Sequence, residues 1–148
     1  MFNDVTGLKV AFVQDCHSQG AKGVLRGMHY QSEQHQGKLA RVVRGVIQDV
    51  VVDLRPASPY KGQFVSTLLA EGDHRMVWIP PGFAHGFLTL GDTADVLYKT
   101  TDYYAPQFEH CLAWYDRSVA IAWQTSAPSI LSSKDQSGMT LASALSKV

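Results

Sequence analysis

Cysteine is scarce in this sequence: Cys16 and Cys111 are the only two. They stand far apart, with no CxxC pair and no Cys/His cluster, which argues against a disulfide framework or a zinc site. Two reduced thiols in a cytoplasmic protein are expected. An excess of charge is missing as well, since 13 basic residues balance 13 acidic ones. No basic stripe is available to follow a phosphate backbone, so nucleic acid is not an expected partner. No apolar run approaches the roughly 20 residues that a membrane span needs. The opening MFNDVTGLKV lacks the charged-then-apolar pattern of a secretory signal. Internal repeats, low-complexity linkers and long helical periodicity are absent too.

What remains is a chain of 148 residues, one domain by size and long enough to bury a sizeable core. It consists of short β-branched and aromatic runs broken by turn residues. LKVAFVQD precedes a turn-like HSQGAKG, and GVLRGMHYQ follows. KLARVVRGVIQDVVVDLR holds two strands or one long bent strand, with Gly45 at the bend. QFVSTLLA, RMVWIP, HGFLTL and DVLYKTTDYY come next, and CLAWYD and VAIAW close the pattern. Such spacing predicts an antiparallel sandwich or barrel. Only GMTLASALSKV has a helix-like composition. Asp49 and Asp53 share a strand face with Ile47 and Val51, and Lys38 shares one with Ala40 and Val42. The alternate positions Val46, Val50 and Val52 are also apolar, so both faces look covered. A barrel with a second sheet packed outside and a polar ligand inside fits this pattern; edge strands in a dimer fit it too.

Two stretches carry candidate chemistry. VLRGMHYQ places Arg26 and His29 inside a run that otherwise reads as a buried strand. Three apart, they would point to opposite faces of a regular strand, so a shared ligand requires a bulge, which Gly27 permits. In IPPGFAHGF, Pro81 and Gly82 set a tight turn before His85. The spacing from Pro80 through Gly82 to His85 resembles the second motif of the cupin barrels. The first cupin metal motif needs two histidines one residue apart, whereas His29 is followed by Tyr30 and Gln31, so no metal is expected.

Taken in order, VLRGMHYQ, QGKLARVVRG, VVVDLRPASPYKGQ, IPPGFAHGF, LYKTTDYYAPQFEHC and ILSSKD resemble the dTDP-4-dehydrorhamnose 3,5-epimerase family, from about Ala11 to about Asp135. The resemblance implies an all-β, cupin-like antiparallel double-stranded β-helix, a jelly-roll barrel with a short C-terminal helix. It also implies a cofactor-independent isomerase acting on a dTDP-4-keto-6-deoxy sugar. Inverting a carbon beside a ketone needs a base, a stabilised enolate and an acid on the opposite face. By resemblance His29 is the base, Asp135 orients its ring, Tyr98 is the proton donor, and Lys38 stands at the carbonyl oxygen. Arg26 is implied at the diphosphate, and Tyr104, rather than its neighbour Tyr103, as the residue that stacks on thymine. Gln14, Asp15, Cys16, His85, Glu109 and Lys134 are implied as further substrate contacts. A homodimer is implied, with one subunit contributing to its neighbour's nucleotide site.

The chain departs from the family at its front. Members usually carry a few tens of residues before the counterpart of FNDVTGLKVAFVQD, including an arginine and a glutamate that contact substrate, and the expectation is a single domain over 1–148 without that segment. Cys16 stands where the family commonly has asparagine, and Met28 where it has leucine. Three other readings stay open on sequence: a single-site epimerase or ketoisomerase, a sugar-nucleotide binding protein without activity, and a metal-dependent cupin oxygenase.

Overall fold

The computed structural model describes residues 1–125, 128 and 130–148. Nine strands form two antiparallel sheets among these residues. They are β1 (Gln14–Ala21), β2 (Leu25–Gln31), β3 (Lys38–Arg44), β4 (Val46–Asp53), β5 (Phe64–Ala70), β6 (Val77–Ile79), β7 (Phe83–Thr89), β8 (Thr93–Thr100) and β9 (Glu109–Cys111). One sheet runs β1-β8-β3-β6 and the other β5-β4-β7-β2-β9. Three short helices accompany them: α1 (Phe2–Thr6), α2 (Ser133–Gln136) and α3 (Leu141–Leu145).

The chain changes sheets at Gly45, so the long run read as one bent strand or two is two. Gly45 has a φ of +78°, and a Cβ there would lie 1.9 Å from the Thr93 carbonyl oxygen. Only glycine fits that corner. Alternation then sorts each strand into an inner and an outer face. On β3 the inner row is Lys38, Ala40 and Val42; on β8 it is Thr100, Tyr98, Val96 and Ala94. Both rows go from polar to apolar along the strand, which divides the interior. Val42, Ile47, Leu69, Phe87, Ala94 and Val96 fill one end as core, and the other end is left as a pocket.

The five-stranded sheet is covered on both faces, as its apolar alternate positions suggested. The outer cover is not a second sheet, however. Val50 and Val52 on β4, with Met28 and Tyr30 on β2, pack under Leu112, Val119 and Ala144, with Trp123, Met139 and Leu141 beside them. Buried Gln48 anchors this cover: its Nε2 donates to Ala122 O at 2.8 Å, and its Oε1 accepts from Gln124 N at 2.7 Å. Tyr30 Oη donates to Ala144 O at 3.2 Å and ties down α3. Thr140 caps that helix, accepting from Ser143 N.

Three strand expectations fail toward the ends of the chain. The segment read as the strand LKVAFVQD is irregular up to Val13, and β1 instead runs through HSQGA, read as a turn. The inner face of β1 looks into a polar pocket and its outer face into solvent, so neither carries the apolar alternation that marks a strand. Phe12 meets Phe2 and Trp78 at 5.4 and 6.2 Å between ring centroids, which gives the apolar residues ahead of β1 a packing role without a ladder. CLAWYD contributes only Cys111 to a strand and VAIAW none, because these residues form the outer cover.

Candidate active site

The pocket lies between the sheets, has a volume of about 340 Å³, and is walled by side chains from both. Its geometry starts at Gly27. Arg26 pairs with Phe87 and His29 with His85, so three steps along β2 match two along β7. The extra residue is a bulge, and it turns Arg26 and His29 onto the same inner face. The two backbones approach closely here: a Cβ on Gly27 would sit 2.6 Å from Gly86 Cα, and one on Gly86 would sit 2.6 Å from Arg26 O. Gly27 also has a φ of +121°. Arg26 stands at the pocket with its Nη2 donating to Gln19 O at 3.0 Å.

His29 is braced from behind by Asp135, whose side chain is 4% exposed. His29 Nε2 donates to Asp135 Oδ1 at 2.6 Å, which leaves Nδ1 as the ring nitrogen free to take a proton. The carboxylate also accepts from Gly27 N–H at 3.2 Å and from Ser132 Oγ at 2.7 Å. Burial pushes the Asp135 pKa up, but the hydrogen bonds from His29 and Ser132 outweigh it and hold the group below its ordinary value. The local sequence explains the placement: Ser132 caps α2 and accepts from Asp135 N, so the helix start aims Asp135 at the sheet.

Tyr98 and Lys38 stand at the same pocket from the facing sheet. Burial, followed by the neighbouring Cys16 thiol, pushes Tyr98 up to about 12, so its phenol keeps its proton. Cys16 is its cross-strand partner. Burial lowers the Lys38 pKa, opposed by the nearby Glu109 carboxylate. His85 lies deeper, with its Nε2 donating to Asp49 Oδ2 at 2.7 Å; their side chains are 6% and 2% exposed.

At the pocket mouth four residues form a connected rim. Tyr104 Oη donates to Glu109 Oε2 at 2.8 Å, Lys134 Nζ donates to the same oxygen at 2.7 Å, and Tyr104 N donates to Gln14 Oε1 at 2.9 Å. These bonds hold Glu109 below its ordinary pKa although burial alone would raise it. The Tyr104 ring is half exposed, offering a face to a flat ligand.

The structure therefore gathers Gln14, Cys16, Arg26, His29, Lys38, His85, Tyr98, Tyr104, Glu109 and Lys134 around one cavity, with Asp135 behind His29. Asp15 is the exception. It alternates to the outer face of β1 and pairs with Lys99 at 2.6 Å, on the far side of the sheet from this pocket. Sequence reasoning also missed two groups. Asp49 appeared as an odd charge in a buried strand, but no spacing rule tied it to His85. Ser132 carries the signal S-x-x-D of a helix start, which went unread.

A pocket of this shape can bind a polar ring and a phosphate, and can move protons between an imidazole and a phenol. A family profile described as dTDP-4-dehydrorhamnose 3,5-epimerase matches residues 1–143. The chain belongs to that family. Among its relatives, the dTDP-4-dehydrorhamnose 3,5-epimerase of Pseudomonas aeruginosa is 49% identical over 143 residues, which is 97% of this chain and 79% of that protein. The fold agrees with the dTDP-6-deoxy-D-glucose-3,5-epimerase of Legionella pneumophila, solved in complex with dTDP-4-keto-L-rhamnose. Its TM-score is 0.92 at 45% identity, covering 95% of this chain and 75% of that one. The 3'-monoepimerase ChmJ of Streptomyces bikiniensis, solved with dTDP-quinovose, has a TM-score of 0.89 at 33% identity, with 97% and 73% covered. These two solved neighbours are thus named for different numbers of inverted carbons.

Proposed function

We propose that this chain inverts C3 and C5 of dTDP-4-dehydro-6-deoxy-D-glucose, giving dTDP-4-dehydro-L-rhamnose by proton transfer among its own side chains. The observation that carries the reading is the His29–Asp135 contact at 2.6 Å, with the carboxylate buried behind a ring that lines the same cavity as Tyr98 and Lys38. His29 Nδ1 takes the proton from the carbon beside the ketone. Asp135 fixes the tautomer and stabilises the imidazolium that forms. Negative charge moves to the ketone oxygen, where the Lys38 ammonium stabilises it. Tyr98, still protonated at neutral pH, returns a proton to the other face. His29 then gives up its proton to solvent and Tyr98 regains one from solvent, and repetition at the second flanking carbon completes the double inversion.

The remaining pocket residues serve binding. Arg26 has the guanidinium geometry for a diphosphate. Tyr104 stacks on thymine while Glu109, Lys134 and Gln14 hold it in place, and His85, oriented by Asp49, hydrogen-bonds the sugar. Cys16 supports Tyr98 from the neighbouring strand. The chain acts as one β-barrel domain in the cytoplasm, a reading supported by two free thiols and by the lack of any helix, among the described residues, long and apolar enough to cross a membrane. It works as a homodimer through the outer face of the four-stranded sheet. Support for that face is its mixture of half-exposed Met76 and Val43 with Arg41, Lys99 and Asp15, which suits pairing with a second copy.

The test is incubation with dTDP-4-keto-6-deoxyglucose in heavy water, followed by NMR. Deuterium at both carbons flanking the ketone, with inverted product, is expected. Exchange at one carbon alone would establish single-site epimerisation instead. A folded protein that binds dTDP but exchanges nothing would overturn the enzymatic reading.

A further inference from the structure

Directly opposite His29 in the β2–β9 ladder stands Cys111, so both side chains project from the same face of the sheet. Asp135 of α2 closes the third side. The imidazole nitrogen, the thiol sulfur and a carboxylate oxygen lie within 4.8 Å of one another. Nε2 is 2.6 Å from Oδ1, and Sγ is 4.0 Å from the same oxygen. Proton transfer as proposed above uses His29 and Asp135 and leaves the thiol idle.

We propose that His29, Cys111 and Asp135 form an inhibitory site for a zinc-type divalent cation that enters through the substrate pocket. The inhibition rests on the epimerase reading; the binding does not. Bond lengths of about 2.0 to 2.3 Å to nitrogen, oxygen and sulfur place tetrahedral ligands about 3.3 to 3.6 Å apart. From the present spacing the His29–Asp135 contact must open by about 0.7 Å, the sulfur must close on the carboxylate by about 0.5 Å, and the nitrogen and sulfur, within 4.8 Å of each other, must come to about 3.5 Å. All three are side-chain adjustments. A set of one thiolate, one imidazole and one carboxylate suits zinc or cobalt and is a poor match for magnesium or calcium, which take oxygen ligands. His29, with 24% of its side chain exposed, is the ligand that lines the pocket and provides the route of entry to Asp135 and Cys111 buried behind it.

The chemistry balances with the loss of one proton. The cation takes the Nε2 lone pair, and the hydrogen that Nε2 shared with Asp135 moves to Nδ1. Cys111 releases its own proton to solvent on becoming a thiolate ligand. With Nδ1 protonated, the ring has no lone pair left for the substrate. While the cation is absent, burial and then the Asp135 carboxylate push Cys111 up to about 12, so it remains a neutral thiol beside the pair. The Lys134 charge, which acts on the same thiol, opposes a cation. The site is therefore expected to fill on addition of metal rather than to retain it through purification.

The test uses the whole chain and the metals alone. Cobalt(II) chloride is titrated into chelator-treated protein while the thiolate-to-cobalt charge-transfer band is followed, and zinc chloride is added to the heavy-water exchange assay. Expected are one cobalt per chain with a sulfur band, displacement of that band by zinc, and loss of exchange in step with zinc binding. Cys111→Ser should lose the band and raise the zinc concentration for half-inhibition about ten-fold or more, relative to its own zinc-free rate. Cys16→Ser, the control for the chain's other thiol, should keep the band. If Cys111→Ser does not fold, His29→Gln must abolish the band in its place. A folded wild-type protein without the band, or a band that follows Cys16, overturns the proposal. A band in a protein with no exchange activity would leave the cation site standing and overturn the epimerase reading alone.

Discussion

Replacing Asp135 by asparagine separates charge from shape at the candidate base. The carboxylate accepts from His29 and Gly27 on one oxygen and from Ser132 on the other. Asparagine can keep its oxygen toward His29 and Gly27, where two N–H groups need an acceptor. Its NH2 then faces Ser132, whose hydroxyl can rotate to accept. Packing and ring orientation survive, and the loss is the negative charge. That charge matters only while the imidazole is protonated, which is when the enolate forms. An imidazolium and a carboxylate with charge centres about 4 Å apart, at an effective dielectric near 20, attract by about 4 kcal/mol. Withdrawing that from the transition state should slow proton abstraction by about 10³-fold.

The assay is the rate of deuterium incorporation into saturating dTDP-4-keto-6-deoxyglucose in heavy water, with circular dichroism and thermal unfolding as controls for the fold. A D135N rate within ten-fold of the parent, in a protein that unfolds at the same temperature, would refute the argument. It would mean that His29 gathers no charge in the rate-limiting step, or that it is not the base. Affinity for dTDP should stay unchanged, because Asp135 sits behind the ring and away from the rim formed by Tyr104, Glu109 and Lys134.

Tyr98→Phe should go on incorporating deuterium while inverted product falls by about 10²- to 10⁴-fold, since His29 can return a proton to the face it came from; unchanged product by NMR would remove Tyr98 as the donor. Tyr104→Ala should weaken dTDP binding by about 1 to 3 kcal/mol, a stacking contribution read by calorimetry, and an unaltered Kd would place the base elsewhere. Asp53 makes a separate prediction about stability. Its carboxyl is held at about 2 by hydrogen bonds from Arg55, against the opposing effect of burial, with a further bond from Ser58. The folded value lies below the unfolded one of about 3.9, so the stabilisation is complete above that pH and is lost as pH falls toward 2. A difference of nearly two units corresponds to about 2.6 kcal/mol, so Asp53→Asn should lose about that much in urea unfolding at neutral pH and approach the parent near pH 2.

Strands were legible where one face is dry. β4 and β7 announce themselves through valines, phenylalanine and leucine, whereas β1, polar toward the pocket and toward solvent, resembles a turn until its pairing with β8 is seen. The bulge at Gly27 was legible from chemistry: two charged side chains three residues apart cannot share a ligand on a regular strand. Asp135 was not, because a carboxylate in SSKD has no local reason to be buried; only the family resemblance pointed to it. The same resemblance carried Asp15 into the site as one of a consecutive trio, and strand alternation alone would have separated it from Gln14 and Cys16. Asp49 shows the converse limit, since an anomaly can be visible in sequence while its partner, 36 residues away, is not.

The contact between His29 and Asp135 spans 106 residues and joins a central strand to a helix near the end of the described chain. During synthesis the nascent polypeptide can assemble both sheets before His29, the base in the proposed mechanism, has an orienting partner. In that mechanism the chain stays slow toward keto sugars until α2 is in place. Turnover then reports that α2 has docked on the sheet, and a ribosome-stalled or C-terminally clipped chain lacking α2 should be recognisable by a weakened signal in the exchange assay before any spectroscopic change in its strands.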